Sequence, residues 1–98
     1  MSPINPVWKS ISDPNRRNIL FYLLYHENVA VMQIAKNLNL TTANVSQHLE
    51  KLQQSKLVKF RKNGTSHCFM LTKTGKNLTE KMNEIEKDFL NAIGNFEL

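Results

Sequence analysis

The sequence predicts a mainly α-helical fold that carries one β-hairpin. Three observations predict it: apolar residues recur at helical spacing, two short runs of β-formers flank an Asn-Gly pair, and the chain of 98 residues suits one compact domain. Hydrophobic residues make up 41% and charged residues 21% of the chain, as in ordinary globular proteins. We therefore expect a single domain over residues 1–98.

A strong helix start lies at Asp13 and Pro14. The Asp13 carboxylate can accept bonds from free backbone N–H groups, and Pro14 suits the first helical position, where no N–H is needed. This helix should run over residues 14–25. Its predicted buried stripe consists of Ile19, Leu20, Leu23 and Leu24. Near its first turn, Arg16 and Arg17 are expected either to contact phosphates or simply to lie on a solvent-exposed face of the helix.

The segment before this helix is expected to start as an irregular arm over residues 1–6, because it holds two prolines. Val7, Trp8 and Ile11 should then form a short helical turn that packs down. The aromatic residues Trp8, Phe21 and Tyr22 could line a ligand cavity, but core or dimer-interface packing is the commoner role of such side chains, and we favour the core.

The next two segments predict a pair of short helices joined by a turn at residues 37–40. Apolar residues at helical spacing mark the first of them: Val31, Ile34, Ala35 and Leu38. Thr41 or Thr42 should cap the second. Its inward residues are Val45, Leu49 and Leu52, which leaves Asn44, Ser46, Gln47 and Lys51 facing out.

The last third of the chain combines a predicted hairpin with a long helix. Residues 57–62 and 66–71 are runs of β-formers separated by Asn63-Gly64, a strong hairpin signal. Thr72 should cap a helix that extends to about residue 95, with Gly75 mildly unfavourable in its first turn. Apolar residues at alternating steps of four and three form a seam on this helix: Leu78, Met82, Ile85, Phe89, Ala92 and Phe96. Such spacing is typical of a helix that packs along another helix.

This order of elements is the winged helix-turn-helix plan, in which the second helix of the pair enters the major groove of double-stranded DNA and the hairpin, or wing, contacts a neighbouring groove or the backbone. Asn and Gln can pair with adenine edges, Ser and Thr can bind bases or phosphates, and Lys and Arg neutralise phosphate charge. Candidate DNA contacts on the second helix are Thr42, Asn44, Ser46, Gln47, His48 and Lys51, none of them acidic. The wing adds Lys59, Arg61, Lys62, Asn63, Thr65 and Ser66, and the first long helix adds Arg16 and Arg17.

Charge divides the chain into two parts. Up to Lys76 there are eleven basic and three acidic residues, and from Asn77 onward there are two basic and five acidic residues. The first part can therefore meet phosphates, whereas the second would be repelled by them and is better suited to protein contacts.

Several stretches resemble the ArsR-type winged-helix repressors. They are residues 10–20 (SISDPNRRNIL), 34–40 (IAKNLNL), 44–52 (NVSQHLEKL) and 56–58 (KLV). The likeness covers most of residues 8–71. Residues 72–75 (TKTG) resemble instead the start of the last helix in MarR-type or PadR-type regulators.

The resemblance implies a homodimer that binds a palindromic operator, with the first and last helices forming the two-fold interface. The seam supports such pairing independently. We expect the six seam residues and Trp8 in the interface, with residues 72–98 as the dimerisation helix. A dimer would place two recognition helices about one DNA turn apart.

The chain departs from the family where its metal sensors bind metal. The Cys-x-Cys positions of the classical sensors correspond to Ala30 and Met32, and the histidines of this chain are His26, His48 and His67, none on the last helix. We therefore predict no metal site of those two types and no cofactor, and the residues identify no inducer.

Two residues have alternative roles. His48 is expected to pack or to contact the backbone or a phosphate rather than to bind a ligand. Cys68 is expected to be a small core residue, and a thiol sensor would require exposure and a nearby positive charge. Because His67 and Cys68 are adjacent on a strand, their side chains should point to opposite faces, which disfavours a shared metal site.

Other classes of function find less support. No nucleophile elbow or glycine-rich phosphate loop is present, so we expect no enzyme. No membrane-spanning segment is predicted, and the single cysteine suits the cytoplasm. The alternatives are a winged helix that binds proteins, which usually lacks a basic wing, and a regulator that responds to a metal or to thiol oxidation.

Overall fold

The computed structural model describes residues 6–96, including the side chains of residues 7–94. Within that range five helices and one hairpin follow each other in the order α1 (Pro6–Ile11), α2 (Pro14–Tyr25), α3 (Val31–Leu38), α4 (Thr42–Gln54), β1 (Val58–Asn63), β2 (Ser66–Leu71) and α5 (Lys73–Phe96). The predicted mainly helical fold with a hairpin wing is confirmed. The predicted arm lies outside the described residues except for Pro6, which begins α1.

Side-chain caps determine where three helices begin. Asp13 Oδ1 accepts hydrogen bonds of 2.7 and 3.3 Å from N–H groups in the first turn of α2. Thr41, rather than Thr42, caps α4, and Thr72 caps α5 through a bond of 3.0 Å. Asn39 ends α3 in the left-handed conformation, with φ at 57°, which turns the chain sharply into α4.

The core lies where α2, α3 and α4 meet the hairpin. The apolar stripes predicted for these helices face it except at Leu24, which is half-buried and is not part of the core. The fully buried apolar residues are Ile19, Leu20, Leu23, Ile34, Val45, Leu49, Leu52 and Leu57. Because α4 is anchored along its whole inward face, its outward face has a fixed orientation.

The wing is a two-stranded antiparallel sheet in which Asn63 pairs with Ser66. The connection is therefore Gly64-Thr65, one residue later than the predicted Asn63-Gly64. Gly64 takes a φ of 67° at the first central position, as glycine does in a type II′ turn. Val29 adds an isolated bridge to Phe69, so the base of the wing gains a third partner that the sequence pattern did not indicate.

The first turns of α5 pack tightly against the chain between α4 and β1. A Cβ atom added to Gly75 would lie 1.9 Å from the carbonyl oxygen of Leu57, so only glycine fits there. Buried Thr79 donates a hydrogen bond of 2.7 Å to the Gly75 carbonyl, and Leu78 and Met82 pack against the core. Among the described residues, no helix has the length and apolar character needed to cross a membrane.

Candidate nucleic-acid interface

Helix α4 presents a polar face to solvent. Thr42, Ser46, Gln47 and Lys51 are exposed, as predicted, while the opposite side of the helix is buried in the core. Glu50 is also exposed, one turn after Ser46 and Gln47, so the acid-free part of this face is confined to the first two turns. These first two turns form the N-terminal end of α4, and the N-terminal end of a recognition helix is the part that contacts base edges in helix-turn-helix proteins.

Two side chains of α4 that were predicted to contact DNA, His48 and Asn44, are not fully exposed to solvent. His48 is 9% exposed, and its Nε2 atom is buried without a hydrogen-bond partner among the described residues. Asn44 is half-buried, and its Oδ1 atom is likewise buried and unpartnered there. The structure therefore contradicts direct DNA contact by His48 and supports the packing role that the sequence also allowed.

Arg16 departs most from its predicted place. It is 7% exposed, and its guanidinium donates hydrogen bonds of 2.5 Å to the Ser10 carbonyl and 3.1 Å to the Lys9 carbonyl, which fixes the end of α1. Its Nη1 atom lies 3.4 Å from His48 Nδ1. The expectation of a solvated helix face is wrong, because Arg16 joins α1, α2 and α4 internally. Phosphate contact stays a prediction, since Arg16 also lines a surface depression with Lys9 and Lys51.

Arg17 takes a similar but less buried position. It is half-buried, and its Nη1 atom donates a hydrogen bond of 2.6 Å to the Ile11 carbonyl. Both arginines therefore satisfy carbonyl groups at the end of α1, which are left free when a helix ends. Arg17 is more accessible to solvent than Arg16.

Burial governs the electrostatics of this junction. It lowers the pKa of His48 below the ordinary 6.5, although the negative charge of Asp13 opposes the shift and Arg16 and Lys51 add to it. Burial alone would raise the pKa of Asp13, but N–H bonds from Asn15 and Arg16 and the nearby positive charges hold it below 3.8. His48 is therefore neutral and Asp13 is ionised at neutral pH.

The wing carries the predicted basic and polar side chains in exposed positions: Lys59, Arg61, Lys62, Asn63, Thr65 and Ser66. A cleft joins it to α4, because Ser46 and Gln53 of the helix and Ser66 and His67 of the hairpin line the same depression. The two predicted DNA-contacting elements are thus brought together on one side of the molecule.

The strand register separates His67 from Cys68. His67 is paired with Lys62 and its ring lies 4.8 Å from that of Phe60, whereas Cys68 is paired with Arg61 on the alternate face. Cys68 is half-buried and is not part of the buried core, so the core expectation for it is wrong. Among the described residues, no group of three or more His, Cys, Asp or Glu side chains could hold a metal ion.

The predicted seam of α5 changes character along its length. Leu78 and Met82 pack against the core, whereas Ile85 is 68% and Phe89 63% exposed. These last two line a groove with Phe21 of α2. Ala92 is exposed, and the side chain of Phe96 lies outside the described residues.

Trp8 is also exposed, with 65% of its surface accessible, so the expectation that it belongs to the core is wrong. Val7 packs against the core and Ile11 is buried within it, which leaves Trp8 on the outer side of α1. Phe21 and Tyr22 are half-buried, and Tyr22 packs against the core. The role of Trp8 in an interface stays a prediction.

Comparison with known proteins identifies the family. The sequence model of bacterial regulatory proteins of the arsR family matches residues 13–59. The transcriptional repressor SdpR of Bacillus subtilis is 34% identical over 71 residues, which cover 72% of this chain and 78% of SdpR. The chain belongs to the ArsR family.

Two further proteins are similar to this chain, one in sequence and one in fold. The HTH-type transcriptional regulator Rv2034 of Mycobacterium tuberculosis is 37% identical over 68 residues, which cover 69% of this chain but only 63% of Rv2034. The homodimeric winged helix-turn-helix DNA-binding domain Mb0332 of Mycobacterium bovis superposes with a TM-score of 0.81 at 24% identity, over 89% of this chain and 81% of that structure. The winged helix-turn-helix fold of this ArsR-family chain is thus confirmed.

Proposed function

We propose that this ArsR-family protein is a sequence-specific, non-enzymatic DNA-binding regulator of transcription that acts in the cytoplasm as a homodimeric repressor. The observation that carries the proposal is the shared cleft of α4 and the wing, in which Ser46 of α4 meets Ser66 and His67 of the hairpin. The same hairpin carries Arg61 and Lys62 in exposed positions. Thr42, Ser46 and Gln47 would contact base edges in the major groove, and the wing would bind the phosphate backbone.

Pairing of two chains would complete the DNA contact. Residues 1–98 would form one winged-helix domain, and α5 with Trp8 of α1 would supply the two-fold interface, so that two copies of α4 face two half-sites of a palindromic operator. The exposed apolar residues of α5 and α1 support this role. SdpR is described as a repressor and Mb0332 as homodimeric, in agreement with the proposal.

The test is a fluorescence-anisotropy titration of the protein with DNA from upstream of its own gene, repeated over a series of salt concentrations. Affinity should fall steeply as salt rises, because bound phosphates release counterions. Arg61→Ala should reduce the slope of log affinity against log salt by about 2, because each chain of the dimer loses one phosphate contact, and Gln47→Ala should relax base preference.

Lys87→Ala is the matched control, because it removes one exposed positive charge from α5, away from the proposed surface. It should leave affinity and salt slope unchanged. A salt-independent affinity, or equal effects of Arg61→Ala and Lys87→Ala, would contradict the proposal.

A further inference from the structure

A basic depression lies between α1, α2 and the second half of α4. The described residues that line it are Lys9, Ser10, Arg16, Lys51, Gln54 and Ser55. Three of these side chains are positively charged and none is acidic. Its volume of about 360 Å³ falls within the range of clefts that bind small molecules, about 300–1,000 Å³. A concave surface lined by one sign of charge attracts ligands of the opposite sign, so the depression favours an anion.

Arg16 supplies recessed and ordered N–H donors at this place. It is 7% exposed, and its guanidinium donates to the carbonyl groups of Ser10 and Lys9 and lies 3.4 Å from His48 Nδ1 through Nη1. A guanidinium carries more N–H groups than these contacts use. The same contacts fix its plane, so that a ligand would not have to order it. Buried Ser10 shares a hydrogen bond between its Oγ atom and that of Ser55, which links α1 to the end of α4.

The positive charge of the depression is not neutralised by a carboxylate that lines it. The charge of Asp13 acts on Arg16, but Asp13 does not line the depression, and its Oδ1 atom already accepts from the N–H groups of Asn15 and Arg16. Among the side chains of residues 7–94, neither Lys9 nor Lys51 forms an ion pair. Both lysines are exposed, so their ammonium groups can move toward a bound anion.

A phosphate-type oxyanion matches these donors. Its oxygens can accept from the planar guanidinium of Arg16, while Lys9 and Lys51 provide point charges at the rim. Ser10 and Arg16 are recessed, with 6% and 7% of their surfaces exposed. This position favours a small anion that can enter the depression over a phosphate that is held in the backbone of a duplex.

We propose that the basic depression binds a free phosphate-type oxyanion, such as the phosphate group of a small metabolite, and that its occupation weakens DNA binding. The second half of this inference rests on the proposed function. Lys51 follows Gln47 by four residues on α4, so the two are neighbours on one face of the helix. An anion held by Lys51 therefore adds negative charge beside the face that would meet DNA, and it repels the phosphates of the duplex. By linkage, bound DNA weakens anion binding by the same factor.

The first experiment is an NMR titration of the protein with inorganic phosphate in the absence of DNA, at an ionic strength held constant with sodium chloride. The amide signals of Ser10, Arg16 and Ser55 should shift along one saturable curve. Lys9→Glu should weaken phosphate affinity by about tenfold or more, because it replaces an attraction at the rim by a repulsion. Lys9 is exposed, so this variant should fold.

Lys87→Glu is the matched control, because it makes the same change of charge at an exposed position of α5. It should bind phosphate as the wild type does. Absence of a saturable shift in the wild type, or equal phosphate affinities of Lys9→Glu and the wild type, would overturn the proposed site.

The second experiment measures affinity for the upstream DNA by fluorescence anisotropy. Replacement of chloride by saturating phosphate at constant ionic strength should lower the affinity of the wild type by about fivefold or more and leave that of Lys9→Glu unchanged. An unchanged wild-type affinity would overturn the regulatory half of the inference.

The variant Lys9→Ala identifies the source of the phosphate group. In phosphate-free buffer it should leave the slope of log affinity against log salt unchanged, because the wild-type depression then holds no phosphate of the DNA. A smaller slope would show that a backbone phosphate fills the depression, and it would overturn the free ligand. Failure of the wild type to bind any DNA would remove the proposed function and the regulatory half with it, but not the anion site.

Discussion

Two regions of the molecule differ in how much of their apolar surface one chain buries: the reading half, from α1 to the wing (residues 6–71), and the distal half of α5, from Ile85 onward. In the reading half, Ile34, Val45 and Leu52 are fully buried, and Arg16 donates to carbonyl groups of α1. In the distal half, Ile85 and Phe89 project into solvent. Burying such a side chain contributes about 1.5–3 kcal/mol. One chain therefore forms a complete DNA-binding unit but leaves apolar surface exposed, and a second molecule would bury that surface.

The largest expected effect comes from placing a charge in the exposed part of the seam. Phe89→Asp should convert the protein from two chains to one, as measured by light scattering, because a carboxylate cannot be buried there without a partner. Affinity for a two-half-site operator should fall by a factor of about 100 or more, since the second half-site contact is lost.

Asn91→Asp is the control for that prediction. It adds the same charge to an exposed position two residues further along α5 and outside the predicted seam. It should remain dimeric and retain operator affinity. A dimeric Phe89→Asp protein would show that the exposed seam is not the interface.

A pair of glycine substitutions sharpens the contrast between the tight and the open part of α5. Gly75→Ala should lower the free energy of unfolding by about 1–3 kcal/mol or more, because its Cβ would overlap the Leu57 carbonyl. Gly94→Ala meets no atom within 4 Å and should raise it by about 0.5–1 kcal/mol, since alanine suits a helix better. Urea unfolding measures both, and effects of equal sign would contradict the packing described for Gly75.

The smallest expected effect is the pH dependence of the buried junction. The pKa of His48 lies below 6.5 in the folded protein, so the unfolded chain binds a proton first as the pH falls. The stability that neutral His48 contributes is present above pH 6.5 and is lost as the pH falls from there through the folded pKa. Urea unfolding of the wild type should show this loss, and His48→Gln should lose less stability over the same interval. Identical pH profiles would show that His48 is not held neutral by burial.

The sequence predicted the elements of the fold because their signals are local. Asp13 with Pro14, the threonine at Thr72 and the apolar spacing of α4 each act within one or two turns of helix. The observed hairpin turn lies one residue later than the predicted one. Asn63-Gly64 is a strong turn signal, but it does not determine which residues form the last pair of the ladder, and in the structure Asn63 itself pairs with Ser66.

The candidate site was predictable in its exposed part only. Ser46, Gln47 and the wing residues follow from periodicity, but Arg16 and His48 meet across 32 positions of sequence, and no spacing rule reports such a contact. The only local indication of their burial is that each lies beside the apolar stripe of its own helix. The exposure of Trp8 and the half-exposure of Cys68 likewise depend on how α1 and the hairpin pack, which composition does not determine.

The mass of the complex between the protein and its selected operator DNA tests the account most directly. Analytical ultracentrifugation should find two chains on one palindromic site for the wild type and one chain at most for Phe89→Asp. A single wild-type chain on the full site, or two chains of Phe89→Asp bound as tightly as the wild type, would contradict the claim that one chain forms a complete DNA-binding unit and that α5 pairs two of them.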